Sequence, residues 1–192
     1  MKRILVLDNY DSFTYNLVHY VREGGGFYVE VIRNDELSVE DAGMYDGIIL
    51  SPGPGLPAES GLLLPIIDAY KESKRIFGVC LGLQAITEVF GGSLLNISRV
   101  YHGVATPIHL CKPVHYLFDG LEETFMAGRY HSWIANRDNF PDCLRIDALD
   151  DEGRIMALSH QTLDICGVQF HPESILTPGG KTMINNWLKG FD

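Results

Sequence analysis

The apolar positions of this chain fall into two patterns, and the character changes about halfway along. In the first part, short continuous apolar runs alternate with helical stripes. Ile4-Leu5-Val6-Leu7 is uninterrupted, as in a strand buried on both faces, so residues 2–7 are predicted as a first strand. Phe13, Leu17, Val18 and Val21 recur at helical spacing, with Asp11 or Ser12 as N-cap and Gly24-Gly25-Gly26 as the stop. Residues 27–33 alternate like a second strand, Ser38-Val39-Glu40-Asp41 resembles a short capping-box start, and residues 46–50 form a third strand. Residues 62–70 read as a helix and 75–79 as a strand. After that strand, Ala85, Ile86, Val89 and Phe90 mark one helix face, ended by Gly91-Gly92.

The later part reads differently. Short strand candidates at 93–95, 105–109, 124–127, 144–148, 154–159 and 166–170 are separated by turns, and residues 181–189 close with an amphipathic helix carrying Met183, Ile184, Trp187 and Leu188. The β-α-β alternation predicts an α/β fold, a mostly parallel sheet with helices on both faces, and the later strands predict an antiparallel addition to it. Sites in such sheets lie beyond the carboxyl ends of the strands. The loops at 8–12 and 51–57 and the residue Cys80 all follow predicted strand ends, so they should gather on one edge.

Composition narrows the classes. With 192 residues the chain fits one domain, 1–192, and 46% hydrophobic against 21% charged residues allows a substantial core. A net charge of −10 argues against a general nucleic-acid binder or a polybasic membrane surface. No apolar run approaches the roughly 20 residues of a membrane span, and the N-terminus reaches Asp8 too soon for a signal peptide. Cys80, Cys111, Cys143 and Cys166 are widely spaced, which suggests neither a zinc site nor a disulfide framework. The expected setting is a reduced, cytoplasmic one, with no metal and no cofactor.

Three stretches carry candidate chemistry. Gly78-Val79-Cys80-Leu81-Gly82 lies at a strand–turn–helix junction, the cysteine counterpart of a nucleophile elbow. The tight turn crowds the positions two residues either side of Cys80, and glycine relieves that crowding. A helix N-terminus also favours a thiolate. The same pattern fits a buried cysteine in a closely packed crossover. His171-Pro172-Glu173 follows the last strand, where an imidazole held by a carboxylate two residues on would serve a thiolate as base; a surface turn fits these residues too. Ser51-Pro52-Gly53-Pro54-Gly55 offers N–H groups at its glycines. One of them could join Leu81 in stabilising an oxyanion, or the stretch is a rigid loop. It lacks a lysine and has two residues without N–H groups, which suits a phosphate cradle poorly. Asp11 and Glu23 read as ordinary helix-end charges.

Together these stretches resemble the class I, triad-type glutamine amidotransferases. Gly78-Val79-Cys80-Leu81-Gly82-Leu83-Gln84 and His171-Pro172-Glu173 match the family's two hallmark motifs in order and separation. Asp8-Asn9-Tyr10-Asp11-Ser12-Phe13, Ser51-Pro52-Gly53-Pro54-Gly55 and Phe170-His171-Pro172-Glu173-Ser174 are similar to the glutaminase subunits of anthranilate and aminodeoxychorismate synthases. The resemblance spans the whole chain and implies a flavodoxin-like sheet. It implies Cys80 as nucleophile on L-glutamine, His171 as base and Glu173 as its orienting partner. It also implies an oxyanion hole of the Gly53 and Leu81 N–H groups, and glutamine contacts from Gly53, Pro54, Gly55, Gln84, Ser132 and Trp133. The implied partner is a separate chorismate-using synthase subunit, in a hetero-oligomer that receives the ammonia. The chain departs from the family at Leu83, Val104 and Trp133, which bears on pocket walls and partner contacts and not on the triad. The competing readings are a stand-alone thiol hydrolase for γ-glutamyl peptides and an interaction module without turnover.

Overall fold

The computed structural model of the protein describes residues 1–191. Along the chain run β1 (Lys2–Asp8), α1 (Thr14–Glu23), β2 (Phe27–Arg33), α2 (Val39–Ala42), β3 (Gly47–Leu50), α3 (Leu63–Tyr70), β4 (Arg75–Val79) and α4 (Leu81–Val89). They are followed by β5 (Leu94–Asn96), β6 (Val104–Leu110), β7 (Thr124–Arg129), β8 (Trp133–Ala135), β9 (Leu144–Leu149), β10 (Ile155–His160), β11 (Ile165–Val168) and α5 (Gly180–Lys189). Nine strands form one sheet in the order β2-β1-β3-β4-β11-β10-β9-β6-β7, and β5 pairs with β8 in a small antiparallel sheet. No helix among the described residues is long and apolar enough to cross a membrane.

The first strand shows how pattern becomes architecture. Successive side chains of a strand point to opposite faces, so Ile4 and Val6 join α1 and α5 in one core while Leu5 and Leu7 join α3 and α4 in the other. All four are fully buried. Each stabilises the fold by about 1.5–3 kcal/mol relative to an exposed side chain, which explains why this strand tolerates no polar position between Ile4 and Leu7.

β2, β1, β3, β4 and β11 run parallel to one another. The parallel pairing of β11 differs from the expectation that residues 166–170 belong to the antiparallel addition. β11 inserts beside β4, with Gly167 opposite Gly78 and Val168 opposite Val79. A Cβ on Gly167 would lie 3.0 Å from the Gly78 carbonyl oxygen, so two glycines allow this close fit. Strand pattern reports burial, and β11 is buried at all four positions; it does not report which strand is the neighbour. The antiparallel strands β10, β9, β6 and β7 extend the sheet from there.

One helix start also differs from expectation. The N-cap position of α1 is Phe13, with no side-chain cap. Asp11 instead accepts the Phe13 N–H at 2.9 Å, and Asp8 accepts the Thr14 hydroxyl at 2.9 Å. α4 begins at Leu81, directly after Cys80, which sets the sulfur at a helix N-terminus as the sequence pattern predicts. Because β1, β3, β4 and β11 are parallel, Asn9, Ser51, Cys80 and Gln169 follow their C-terminal ends on one edge of the sheet, where α/β folds place their sites.

Candidate active site

Cys80 closes the turn between β4 and α4 with φ 53° and ψ −100°. A non-glycine residue at positive φ stores of order 1–3 kcal/mol and persists only when its surroundings over-determine it. The surroundings here are two glycines. A Cβ on Gly78 would lie 2.5 Å from the Gly82 carbonyl carbon, and one on Gly82 would lie 2.7 Å from the Leu50 carbonyl oxygen. The turn therefore packs backbone against backbone, and the sulfur stands at the N-terminus of α4, 5% exposed.

His171 is held at the end of β11 by β7 and by its own turn. Its N–H donates to Gly128 O at 2.9 Å, and its carbonyl accepts the Thr177 hydroxyl at 2.7 Å. Its Nδ1 meets Glu173 Oε1 at 2.6 Å, with both side chains almost completely buried. Nε2 of His171 is buried without a hydrogen-bond partner. Burial alone would pull the imidazole pKa down, but the sulfur of Cys80 and the carboxylate of Glu173 outweigh it and hold the ring well above the usual histidine value. Such a setting suits a thiolate–imidazolium pair. The Tyr130 ring covers this imidazole at 4.8 Å, and its hydroxyl reaches Ser174 Oγ at 3.1 Å.

A cavity of about 240 Å³ opens on Cys80, lined by Gly53, Pro54, Gly55, Gln84, Tyr130, His131, Ser132 and Trp133. All six residues expected to contact glutamine line it. It is smaller than the ~300–1,000 Å³ of drug-sized pockets, which fits a small ligand. Leu81 is the first residue of α4, so its N–H has no intrahelical acceptor. Gly53 lies beside it: a Cβ there would meet Leu81 Cδ2 at 2.9 Å and Asn9 O at 2.5 Å. Gly53 thus lines the cavity while Leu81 directly follows Cys80. Leu83 is fully buried and lies outside the cavity wall, whereas Trp133 forms part of it. Val104 is 41% exposed.

Four features escape a reading of the sequence. Asn9 is buried, and its side chain donates to Ser51 O at 2.8 Å while its N–H donates to Ser51 Oγ at 2.8 Å, clamping the start of the 51–57 loop. Asp11 is no ordinary helix-end charge: burial raises its carboxyl pKa, and both Glu173 and His171 act on it. Gln169, fully buried, donates to Cys80 Sγ at 3.5 Å. Its one available signal is that it is the sole polar residue in Cys166-Gly167-Val168-Gln169-Phe170. Finally, the wall at 130–133 rests on buried charge. Arg129, 1% exposed, donates to Asp150 at 2.9 Å and through Nε to His131 Nε2 at 3.1 Å, with its guanidinium 3.6 Å from the Tyr101 ring centroid. Burial, then the Arg129 charge, pulls the His131 pKa down to about 3, so its ring is neutral. Accepting from Arg129 leaves the proton on Nδ1, which donates to Trp133 O at 3.1 Å.

His19, His109, His115 and His160 lie elsewhere, in surface or turn contacts. Glu23 pairs with Lys181 at 2.9 Å and ties α1 to α5.

The sequence model described as glutamine amidotransferase class-I matches residues 5–191. The chain belongs to the class I glutamine amidotransferases. Among relatives of this amidotransferase, the rice protein "Anthranilate synthase beta subunit 2, chloroplastic" is 46% identical over 97% of the chain and 70% of its own length. The Bacillus subtilis "Aminodeoxychorismate/anthranilate synthase component 2" is 44% identical over 98% of the chain and 96% of that protein. The "Anthranilate synthase component 2" of Pseudomonas aeruginosa is also 44% identical, over 97% and 94%. The crystal structure of a Thermoplasma acidophilum protein, a putative GMP synthase subunit, shares the fold with a TM-score of 0.87 at 26% identity, covering 98% of this amidotransferase and 93% of that chain.

Proposed function

We propose that this amidotransferase is the glutaminase subunit of a chorismate-using synthase, with anthranilate synthase as the pairing. The observation that carries the chemistry is the cavity that joins Cys80 to Gly53, Gln84 and the 130–133 wall, with His171 and Glu173 buried beside it. In this reading the Cys80 thiolate attacks the γ-carboxamide carbon of L-glutamine. The oxyanion forms against the Gly53 and Leu81 N–H groups. The imidazolium of His171 gives its proton to the departing nitrogen, which leaves as ammonia, and a γ-glutamyl thioester remains. His171, now neutral, takes a proton from water; the hydroxide adds to the thioester, and glutamate leaves as the thiolate re-forms. Glu173 fixes the ring through Nδ1. Gln84, Ser132, Trp133 and residues 53–55 hold the α-amino and α-carboxylate ends.

The relatives' names favour the synthase pairing. The Bacillus relative's name covers both aminodeoxychorismate and anthranilate synthases, so the aminodeoxychorismate pairing, or one subunit serving both, is the second reading. The proposed compartment is the cytoplasm. Free ammonia is mostly protonated in water at neutral pH and ammonium is no nucleophile, so direct delivery to a bound synthase subunit makes chemical sense. Exposed apolar side chains stand on segments next in sequence to the site: Tyr10 on the 8–12 loop, Phe13 just after it and 5.8 Å from the Tyr130 ring, Val104 after His102-Gly103, and Ile175 after Ser174. These are the proposed contact surface.

The same surface provides a lever. Asn9 clamps Ser51 at one end of the 51–57 loop, and Glu59 accepts the Leu56 N–H at 3.1 Å at the other, while Gly53 between them is free to turn its N–H toward or away from the oxyanion. A synthase subunit that prefers the productive orientation raises turnover by its differential affinity, about 1.4 kcal/mol per tenfold. Steady-state glutaminase assays of the purified chain, with and without chorismate and its synthase subunit, test this. The lone chain should be slow and the complex fast; equal rates would support the stand-alone hydrolase instead. In the complex, Cys80→Ala should abolish glutamine-dependent synthesis and spare synthesis from added ammonia. A glutamine-analogue electrophile that labelled Cys111, Cys143 or Cys166 in place of Cys80 would overturn the assignment.

A further inference from the structure

Gln169 is a buried carboxamide at the sulfur for which the chemistry above has no use. Its backbone is fixed where β11 ends, donating to Met156 O at 2.8 Å, and its side chain is fully enclosed. Nε2 lies 3.5 Å from Cys80 Sγ, and Oε1 lies 3.3 Å from Gln84 Nε2. We propose that Gln169 is a third group on the nucleophile: its N–H holds negative charge on the Cys80 sulfur, in an orientation fixed through Gln84 by the Trp133 carbonyl.

The orientation follows from a chain of donors and acceptors that starts at a group unable to flip. The Trp133 backbone oxygen can only accept. Gln84 therefore presents its NH₂ there, at 2.9 Å. That NH₂ also faces Gln169, which must answer with its carbonyl oxygen, since a reversed amide would set two donors against each other. The Gln169 NH₂ is then left toward sulfur. Hydrogen bonds to an ionised partner are about twice as strong as neutral ones, so this donor favours thiolate over thiol. It does so without moving a proton, which leaves His171 free to shuttle protons. It acts before attack and again when the thioester breaks and the thiolate leaves. The same chain ties the sulfur to Gln84 and Trp133, two of the cavity residues, so nucleophile and ligand wall share one hydrogen-bonded register.

The ionisable groups around this site are His171 and Glu173 on the turn after β11, Asp11 on the loop after β1, and Tyr130 and His131 at the cavity wall. The test leaves all five in place. The pH dependence of iodoacetamide alkylation at Cys80 is measured on the full chain by mass spectrometry. Gln169→Met, which removes the donor at similar length, should move the midpoint up by about one pH unit, so alkylation below the wild-type midpoint slows about tenfold. Gln169→Glu keeps the shape but sets a carboxylate against the sulfur, and should move the midpoint further up. Gln84→Met leaves Gln169 in place but frees its amide, and a smaller upward move is expected. An unshifted midpoint in Gln169→Met with wild-type melting behaviour, or in Gln169→Glu should the methionine variant not fold, overturns the proposal. The inference rests on Cys80 as the nucleophile. That reading fails separately, when a glutamine-analogue electrophile leaves wild-type Cys80 unlabelled.

Discussion

The parallel and antiparallel portions of the large sheet hold their shares of the site by different physics. On the parallel side, β1, β3, β4 and β11 are apolar or glycine at nearly every buried position; they deliver Cys80 by packing backbone on backbone, while Asn9, Ser51 and His171 are held at their strand ends by hydrogen bonds. Gly78, Gly82 and Gly167 leave no room for a methyl group, so the position of the nucleophile follows from excluded volume. On the antiparallel side, Tyr130 to Trp133 follow β7 and rest on Arg129, Asp150 and His131, all buried. Directional bonds among charged and neutral groups set that geometry. Volume is insensitive to pH, whereas a buried polar network responds to each proton gained or lost and to each partner removed. The backbone that places Cys80 belongs to the insensitive kind, whereas the His171–Glu173 pair and the ligand wall are buried polar groups of the sensitive kind.

The largest effect expected lies on the parallel side. His171→Ala should lower thioester formation by about 10³-fold or more, as loss of a catalytic base does elsewhere, and should also lower the melting temperature, because it leaves the buried Glu173 carboxylate without its partner. Glu173→Gln should be milder, because the amide still meets Nδ1. It removes one of the two groups that hold the His171 pKa up, so the alkaline limb of the glutaminase pH profile should move to lower pH. Rapid-quench measurement of the acyl-enzyme and a pH–rate profile check both. Wild-type thioester formation in His171→Ala would place the base elsewhere and dissolve the contrast.

Next comes the buried ion on the antiparallel side. Arg129→Met removes the donor to His131 and one of the partners of Asp150, which keeps Arg154 and the Glu152 and Arg154 N–H groups, so the loss should fall at or below the ~3–5 kcal/mol of a fully broken buried pair. Chemical denaturation should show that loss, and in assays at low temperature KM for glutamine should rise more than kcat falls. Arg129→Met with Asp150→Asn, which removes both charges and keeps a side-chain oxygen for the Glu152 and Arg154 N–H groups, should recover part of the stability. A variant that lost kcat and kept KM would show that the wall serves the chemistry directly.

The smallest effect is a pH slope. The folded pKa of His131 is about 3, below the ~6.5 of an unfolded chain. Between these values the unfolded state binds a proton that the folded state refuses. The stability it contributes is fully present above pH 6.5 and is lost as pH falls toward 3, at no more than about 1.4 kcal/mol per pH unit. His131→Gln, with no titrating ring, should flatten the difference in denaturation midpoint between pH 6 and pH 4. Parallel curves for the two proteins would mean that His131 is protonated in the folded state and that the wall is not built on a neutral imidazole.

Much of this was legible in the sequence because it is encoded locally. The uninterrupted run Ile4 to Leu7, the glycines around Cys80 and the His171-Pro172-Glu173 turn each state their own geometry within a few residues. The site's other half was not legible for a definite reason. Arg129 precedes its partner Asp150 by two strands and two loops, and each residue alone reads as a surface charge. Asn9 and Asp11 look like loop polarity until Ser51 and Glu173 are seen beside them. Gln169 gave a faint signal, a lone polar residue in a buried run, whose meaning depends on a sulfur eighty-nine residues earlier in the chain.

The sequence by itself determined which segments become strands and helices, which strand ends carry reactive residues, and which family the chain belongs to, because periodicity, turn chemistry and short motifs act over a few neighbouring residues. Only the tertiary structure decided that β11 lies parallel to β4, so that His171 comes to Cys80, and that Gln169, Gln84 and the Trp133 carbonyl join in one line behind the sulfur. A side chain's pattern along a strand reports how deeply it is buried; which strand lies next to it is chosen by the packing of the whole sheet, and a buried polar group acquires its role only from the neighbours that this packing supplies.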